Sequence, residues 1–400
     1  MRILYLSRWF PYPSDNGSRL RIFNLLKHLS SRYTVDLISF ASEPVSDEAL
    51  TMMRRYCERV DVVRYRPFQS TRWTALAGYF SARPRSVIDT YSVEMQRRVE
   101  QAGRERAYDV VIAAQMDVAP YAMALPNVPR VFEEVEVGKL HERYANERQP
   151  LKKLRAGLTW GKSSRYVADL LRSFDGYTVV SEREREHVKR IAPSYRPSRA
   201  RVVPNGVDLA HSADFGAPQA DTLVYSGALT YYANWEAIEF FLRDVFHLIK
   251  AKQSGAQLTV TGKLDGVPVD RLPNRDGTVF TGYVDDVRPI VARSWVSVVP
   301  LLIGGGTRLK ILESLALGTP VVSTSKGAEG LDLVSGRDIL IADEPADLAD
   351  AVLRVLQDAN LRETLSRNGR RAVTRYDWQV IGPEFCGFVE EIAVAGKQAV

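Results

Sequence analysis

Three consecutive glycines (304–306) and the carboxylate of Glu313 form the part of the sequence best suited to chemistry. They lie in PLLIGGGTRLKILESLALGTPVVST (300–324), where the glycines lead directly into a helical pattern. Glycine allows close backbone approach, and the free N–H groups at a helix start, here around Thr307 and Arg308, bind anions. Glu313, about two turns along, can meet a ribose hydroxyl. A nucleotide diphosphate that carries a sugar would use both features.

The flanking segments predict where this loop lies in the fold. WVSVVPLL (295–302) and TPVVST (319–324) are apolar runs typical of buried strands, so the helix between them is a crossover in a parallel sheet. Its loop then follows the carboxyl end of a strand, where open α/β sheets bind ligands. Two simpler interpretations stay open. The glycines could only turn the chain, and Lys310 with Glu313 could be an ordinary surface pair at i,i+3 spacing.

Length and composition indicate a globular protein of two domains. The chain has 400 residues, of which 45% are hydrophobic and 26% charged. Its longest apolar runs fall short of the roughly 18 residues that cross a bilayer, and Arg8 interrupts the apolar start, so we expect a cytoplasmic protein without a secretory signal. Neither the two cysteines, Cys57 and Cys386, nor the five histidines have the spacing of metal ligands. The sequence therefore predicts no structural zinc.

Charge is unevenly distributed along the chain. Residues 1–200 carry a net charge of +11 and residues 201–400 one of −5. This asymmetry favours an acidic partner for the first half. No nucleic-acid motif accompanies it, so we expect an anionic membrane surface or a lipid-linked phosphate rather than nucleic acid.

The order of predicted elements gives an α/β fold with two doubly wound, Rossmann-like domains. RILYLS (2–7) and TLVYSG (222–227) each begin a half as a buried strand, followed by a loop and an amphipathic helix. Further strands are predicted at 34–40, 60–65, 109–114, 129–133, 176–181, 257–262, 278–281, 295–300, 319–323 and 338–342, and helices at 151–173, 286–293, 308–317, 345–357 and 359–375. We expect domains at 1–205 and 206–377, joined through the turn-rich stretch 201–220, and a last helix from Trp378 that packs back onto the first domain.

Four motifs in order resemble the large group of retaining GT-B glycosyltransferases. They are PNGVD (204–208), FTGYVDDVRP (280–289), GGGTRLKILE (304–313) and GTPVVSTSKGAEGL (318–331), and the loop and helix at 11–29 are also similar. The resemblance implies two facing domains and transfer of a sugar, with retained configuration, from a nucleotide-diphosphate donor to a hydroxyl of a glycan or lipid-linked acceptor, in cell-surface glycan or glycolipid assembly. It implies no cofactor, and since the chain has no DxD triplet, no metal.

Site residues carry over from the family at matching positions. Glu313 matches the second Glu of the EX7E motif and is expected to contact the ribose, whereas Gly305 occupies the place of the first Glu. The resemblance thus implies donor contacts from Gly17, Gly227, Lys263, Tyr283, Val284, Gly305, Gly306, Thr307, Arg308 and Glu313. Arg308 is also a candidate for stabilising the leaving group.

The family's pair of basic residues after the strand that opens the second half is missing. Gly227 is followed by ALTYYANW, with no basic residue before Arg243. An unpaired diphosphate in a cleft would be costly, so another cation must compensate its charge. The candidates are Arg308, Lys263 and Arg19, each of which could instead be a solvated surface charge.

A short acidic segment of the first half lacks the family's histidine. FEEVEVG (132–138) places Glu133, Glu134 and Glu136 at the end of a strand, with Glu134 and Glu136 on one face and Glu133 on the other. Glu134 or Glu136 could orient or deprotonate an acceptor hydroxyl. The alternative is an ordinary charged loop.

Other functions fit the sequence less well. The first βα turn has Gly17 but no GxGxxG, which disfavours an NAD-dependent oxidoreductase, and GLTWGKS (157–163) lacks P-loop spacing. A nucleotide-sugar 2-epimerase and a catalytically silent nucleotide-sugar-binding protein stay as alternatives.

Residues 64–85 interleave basic and aromatic side chains in RYRPFQSTRWTALAGYFSARPR. This mixture suits contact with anionic lipid at a membrane interface. The alternative is that the aromatic side chains simply pack inside the protein.

Overall fold

The structure, a computed structural model, describes residues 1–193, 199–209, 215–304 and 308–398, apart from the side chains of residues 139, 397 and 398. The chain divides into two compact units. Unit 1 comprises Met1–Asn205 and the end of the chain from Ile381, and unit 2 comprises Gly206–Val380. The described part contains no helix that is long and apolar enough to span a membrane.

Unit 1 is built on a parallel sheet of seven strands in the order β3-β2-β1-β4-β5-β6-β7. The strands are β1 (Arg2–Ser7), β2 (Thr34–Ala41), β3 (Arg59–Arg64), β4 (Val110–Ala114), β5 (Arg130–Glu133), β6 (Gly176–Val179) and β7 (Ala200–Val202). The central strands β1 and β4 are buried along almost their whole length because helices cover both faces of a parallel sheet.

Helices cover the sheet of unit 1. They are α1 (Gly17–Ser30), α2 (Asp47–Met53), α3 (Trp73–Ala77), α4 (Arg85–Thr90), α5 (Val93–Glu105), α6 (Gly138–Asn146), α7 (Pro150–Arg172) and α8 (Glu182–Ile191), with 3-10 turns at Gly78–Phe80 and Ala119–Ala124. The predicted apolar face of α1 is confirmed, since Ile22, Leu25, Leu26 and Leu29 are fully buried.

Unit 2 holds a parallel sheet of six strands in the order β10-β9-β8-β11-β12-β13. They are β8 (Gln219–Ser226), β9 (Gln257–Thr261), β10 (Thr278–Gly282), β11 (Ser294–Val299), β12 (Val321–Ser323) and β13 (Leu340–Ile341). Its helices are α9 (Tyr232–Phe240), α10 (Phe246–Lys252), α11 (Arg288–Ala292), α12 (Leu309–Leu317), α13 (Pro345–Gln357) and α14 (Ala359–Val373), with a π-helical stretch at Phe241–Val245 and 3-10 turns at Val269–Arg271 and Thr374–Tyr376.

The last helix, α15 (Trp378–Gln398), confirms the predicted return to the first half of the chain. It begins in unit 2 and belongs to unit 1 from Ile381 onward. Its Phe388 and Ile392 occupy the space above Gly176, where a Cβ atom would lie only 2.8 and 2.7 Å from their side chains. The glycine therefore permits close packing of α15 on strand β6.

The predicted α/β fold with two doubly wound sheets is confirmed, and one local prediction is wrong. The sequence predicts the interdomain connection within the turn-rich stretch 201–220 and no strand there, but Ala200–Val202 forms the edge strand β7 against β6 and Gln219 already begins β8. The short run ARV could be identified as a strand only from its pairing with β6, because the prolines and glycines after it dominate the local pattern.

Candidate functional site

The sheet of unit 2 reverses its strand order between β8 and β11. These strands are neighbours, but the chain leaves β8 towards β9 and leaves β11 towards β12, on opposite sides. Doubly wound sheets bind ligands at such a reversal, between the loops that follow the carboxyl ends of the two strands.

Helix α12 starts directly above this point. Arg308 is its N-cap residue, and Gly304 in the preceding loop has φ +110°, a backbone conformation that favours glycine. Ile311, Leu312 and Leu315 face the core, so Lys310 and Glu313 lie on a different face. The predicted donor contacts of Gly305, Gly306 and Thr307 lie outside the described residues and stay predictions.

Lys310 reaches from α12 to the turn that follows β8. Its Nζ donates to the Tyr225 hydroxyl at 2.9 Å and to Asn234 Oδ1 at 3.1 Å. A Cβ atom on Gly227 would lie 2.7 Å from the same nitrogen, so a side chain at this position would displace the ammonium group. A cation thus lies at the turn where the sequence shows no basic residue.

The surroundings of Lys310 and Glu313 exclude an ordinary surface pair. Burial and the charge of Arg308 lower the pKa of Lys310 to about 7, although Glu313 opposes the shift. Burial likewise raises the pKa of Glu313 to about 7, against the charges of Lys310 and Arg288. Both groups titrate near neutral pH, which is typical of functional sites.

Arg308 is buried and stabilises the loop around it. Its Nη2 donates to the carbonyl oxygens of Gly304 at 2.8 Å and Lys326 at 3.1 Å. The guanidinium therefore links the glycine loop to the segment after β12. Its predicted role in stabilising a leaving group stays a prediction.

Two further loops extend the same edge of the sheet. Gly262, at the end of β9, has φ +124°, and a Cβ atom there would lie 2.6 Å from the backbone of Gly227 and Ala228. The next residue, Lys263, has its ammonium 5.6 Å from the ring centroid of Tyr283, which follows β10 and is 60% exposed. Val284, next to Tyr283, is half-buried. The predicted donor residues Gly227, Lys263, Tyr283 and Val284 thus all lie at the carboxyl ends of β8, β9 and β10.

In unit 1, Glu133 takes part in a buried ion pair. Its Oε1 is 2.7 Å from Nε and 2.5 Å from Nη2 of Arg21, and both side chains are inaccessible to solvent. Arg21 also donates to the carbonyl of Pro204 at 3.0 Å and to Asn205 Oδ1 at 3.1 Å. Arg21 therefore joins α1, the end of β5 and the start of PNGVD.

Glu134 has an unusual backbone next to this pair. Its φ is +57° and that of Gln115 is +76°, a region that residues other than glycine rarely adopt. Gln115 Nε2 donates to Glu134 Oε2 at 2.7 Å, and the Glu134 N–H donates to Thr178 Oγ1 at 3.0 Å. Backbone strain of this kind clusters at functional sites, so it supports the choice of Glu134 over an ordinary charged loop.

Exposure alternates through the acidic segment as predicted. Glu133 is buried, whereas Glu134 and Glu136 are half-buried, although strand β5 ends at Glu133.

Gly17 is the first residue of α1 and follows the N-cap residue Asn16. Arg19 is paired with Asp15 at 2.9 Å, which reduces the positive charge that Arg19 can offer a phosphate. The ligand roles predicted for Gly17, Glu134 and Glu136 stay predictions.

We expect Glu134→Gln to stabilise the protein at pH 8 but not at pH 4.5. Burial, followed by the charge of Glu133, raises the Glu134 pKa to about 7. The unfolded carboxyl ionises near pH 4.5, so the folded state loses stability as pH rises from about 4.5 to 7, and glutamine removes this loss. The difference in Tm from wild type should reach about 2–4 °C at pH 8, or roughly 1 kcal/mol after solvent screening.

Differential scanning calorimetry at the two pH values measures this effect. Glu94→Gln, at an exposed position of α5, controls for the loss of one negative charge. An equal shift for Glu134→Gln at both pH values would show that Glu134 ionises normally.

A cavity of about 660 Å³ lies at the opposite edge of the unit 2 sheet. Its lining includes Pro218, Ser294 and Pro320, at or just before the amino ends of β8, β11 and β12. Ligands of doubly wound sheets bind at the carboxyl ends, so this cavity is separate from the candidate site.

Among the described residues, no group of three or more His, Cys, Asp or Glu side chains could hold a metal ion.

Comparison with known families gives matches over most of the chain. Residues 16–211 match the model of Glycosyltransferase Family 4, and residues 220–358 match that of Glycosyl transferases group 1. The chain belongs to the family 4, group 1 glycosyltransferases. The expected family is thereby confirmed.

Sequence relatives of this family member include phosphatidyl-myo-inositol mannosyltransferases. The Mycobacterium leprae protein is 32% identical over 123 residues, 30% of this chain and 33% of that protein. The Mycobacterium tuberculosis protein is 29% identical over 219 residues, 50% of this chain and 56% of that one. The chain therefore matches a third to about half of the length of these relatives.

Solved glycosyltransferase structures share the fold over nearly the whole chain. Anabaena HepE in complex with UDP and glucose aligns with a TM-score of 0.64 at 17% identity, covering 98% of this chain and 100% of that one. Sucrose-phosphate synthase of Thermosynechococcus elongatus aligns with a TM-score of 0.68 at 16% identity, covering 99% and 100%. At such identities the likeness establishes the fold alone.

Sequence reasoning did not identify Lys310 as a site residue of this glycosyltransferase. The sequence analysis considered Lys310 only as the partner of a surface pair, and it named Arg308, Lys263 and Arg19 as candidates for the missing cation. A signal was nevertheless present, because Lys310 lies one helical turn before Glu313 and therefore shares its side of α12. Tyr225 and Asn234, which accept hydrogen bonds from Lys310, belong to no recognisable sequence motif.

Proposed function

We propose that this protein transfers a sugar from a nucleotide-diphosphate donor to a hydroxyl of a glycan or lipid-linked acceptor, with retained anomeric configuration and without a metal ion. The observation that carries the proposal is the ammonium group of Lys310 at the Gly227 turn, beside the start of α12. It supplies a positive charge at the edge of the sheet where a donor diphosphate would bind.

Lys310 would act on the leaving diphosphate. Transfer breaks the bond between the anomeric carbon and the phosphate oxygen, and negative charge accumulates on the diphosphate that leaves. A cation already held by Tyr225 and Asn234 needs little reorganisation to stabilise that charge. The N–H groups at the start of α12 would add their dipole.

Glu313 would hold the ribose, as in relatives with the second Glu of the motif. Its position one turn after Lys310 places it next to the proposed phosphate site on α12. On the acceptor side, Glu134 would orient the hydroxyl, while a donor phosphate oxygen takes its proton as the new glycosidic bond forms. This route uses no side-chain nucleophile.

The relatives support a nucleotide sugar as donor and leave the sugar open. The similar mycobacterial proteins bear the name phosphatidyl-myo-inositol mannosyltransferase, and HepE was solved with UDP-glucose as well as with UDP. Mannosyl and glucosyl donors with uracil, guanine and adenine bases are therefore the first to test. The mannosyltransferases' name also makes a lipid-linked hydroxyl the first acceptor to test.

We expect nucleotide binding to be tighter at pH 6.5 than at pH 8.5. A bound diphosphate favours the charged form of Lys310, whose pKa is about 7 in the free protein, so binding takes up a proton above that pH. Thermal shift with UDP, GDP and ADP identifies the base, since a ligand at 100 times its Kd stabilises the folded state by about 2.7 kcal/mol. Isothermal titration calorimetry in buffers of different ionisation enthalpy then measures the proton uptake.

Product analysis separates this function from its alternatives. Release of free nucleotide only after an acceptor is added supports transfer. An altered sugar that stays attached to the nucleotide would indicate a 2-epimerase, and nucleotide binding without turnover across the donor set would indicate a silent binding protein.

A further inference from the structure

The first half of helix α7 exposes a row of leucines. Leu151, Leu154 and Leu158 are 83%, 63% and 63% exposed, and their i, i+3, i+7 spacing places them on one face. Three large aliphatic side chains in a row on one exposed helix face form a patch of the kind that marks an interaction site.

A second exposed apolar patch comes from the segment 73–80. Trp73 is 81% exposed, Tyr79 57% and Phe80 96%, whereas Tyr65 is buried, so the alternative of packing inside the protein holds for Tyr65 and is wrong for the other three. Polar contacts hold the segment in place: buried Asp89 accepts hydrogen bonds from Arg72 and Thr74, and Arg85 donates to the carbonyl of Ala75 at 2.7 Å. The aromatic side chains therefore project from a fixed backbone.

Lys162 joins the two patches. It follows Leu158 by four residues on the same face of α7, and its Nζ donates to the carbonyls of Gly78 at 3.2 Å and Tyr79 at 3.0 Å. The leucine row thus leads directly to the aromatic segment. We call these six side chains, Trp73, Tyr79, Phe80, Leu151, Leu154 and Leu158, the docking surface.

Charge around the docking surface is strongly positive. Between Glu147 and Asp169 the sequence contains six Lys or Arg residues and no acidic one. Lys152, Lys153 and Arg155 are exposed beside the leucines, and Arg83 is exposed near the aromatic residues. Apolar side chains surrounded by cations are complementary to a bilayer with anionic headgroups, since leucine and phenylalanine enter the acyl region and tryptophan and tyrosine stay at its boundary.

We propose that unit 1 binds the surface of an anionic bilayer through the docking surface, with α7 lying in the interface and Trp73 and Phe80 inserted beside it. The sequence hypothesis placed this contact on residues 64–85, and the structure adds α7 as its second half. The proposal is independent of the proposed transfer reaction, because binding needs neither donor nor acceptor.

Co-sedimentation with vesicles tests the proposal on the full chain. We expect binding to vesicles of phosphatidylglycerol and phosphatidylcholine, at least tenfold weaker binding to phosphatidylcholine alone, and a loss of binding at 0.5 M salt. Leu151→Asp with Leu154→Asp and Leu158→Asp should lower binding at least tenfold, as should Trp73→Ser with Phe80→Ser. Val93→Asp changes another exposed aliphatic residue of unit 1, 55% exposed, and should bind like wild type.

Tryptophan fluorescence identifies the inserted residue. Emission should shift to shorter wavelength when vesicles are added, and Trp73→Phe should abolish the shift while preserving binding. The replaced side chains are exposed, so circular dichroism and Tm should match wild type.

Three results would overturn the proposal. They are equal binding to both vesicle types, leucine variants that bind like wild type, and a concentration-dependent dimer in analytical ultracentrifugation that the leucine variants dissociate. The last would assign the surface to a second copy of the chain.

Discussion

Lys310→Met is expected to lower kcat/KM for sugar transfer by about 10²–10³, the usual cost of removing one preorganised group that stabilises charge in a transition state. The reason is the position of its ammonium group, 2.9 Å from the Tyr225 hydroxyl and next to Gly227, where the chain has no other basic residue before Arg243. Steady-state kinetics with the donor found by thermal shift measures the loss.

The same variant should fold at least as well as wild type. A lysine whose pKa is lowered from 10.5 to about 7 by folding costs stability, because the unfolded chain accommodates the charged form freely. The cost is greatest below pH 7 and declines as pH rises to 10.5. Tm at pH 6.5 is therefore expected to rise or stay unchanged in Lys310→Met, which separates a functional loss from misfolding.

Two further measurements make the assignment of Lys310 specific. The proton uptake on nucleotide binding should disappear in Lys310→Met. Lys252→Met, on the exposed side of α10 in the same unit, should leave both kinetics and proton uptake unchanged. Wild-type activity in Lys310→Met would show that Lys310 does not stabilise the leaving diphosphate. Arg308 and Lys263 would then be the candidates for that role.

Arg21→Met is expected to destabilise the protein by about 3–5 kcal/mol, because it leaves the buried carboxylate of Glu133 without its partner. Burial opposes the charge on Arg21, but Glu133 and Glu134 outweigh it and raise the Arg21 pKa, so the guanidinium stays ionised. Chemical denaturation at pH 7.5 measures the free energy of unfolding.

The pair can be tested with a double substitution. Arg21→Met combined with Glu133→Gln removes the isolated charge and should recover more than half of the lost stability, since replacing both partners of a buried pair costs little. Arg32→Met, at an exposed arginine after α1, is the control and should change stability by less than about 0.5 kcal/mol. A small effect of Arg21→Met alone would show that water or another group compensates Glu133.

Much of the fold could be predicted from the sequence because its signals are local. RILYLS is a short apolar run typical of a buried strand, and Ile22, Leu25, Leu26 and Leu29 recur at helical spacing. The structure buries the apolar residues of both segments as expected. The run from 345 to 357 was likewise predicted as a helix and forms α13. Elements that depend on pairing, such as β7, were missed because a three-residue run has no period to detect.

The sequence by itself determined the family and the two parallel sheets, and it predicted the side of the second sheet where a ligand is expected, because motif order and hydrophobic periods encode them. Only the tertiary structure shows which cation lies at that edge. Lys310 and Gly227 are 83 positions apart in sequence and meet because β8 and β11 are neighbours in the sheet. Likewise, only packing buried Glu133 against Arg21, raised the Glu134 pKa, and left the leucines of α7 exposed beside the aromatic segment.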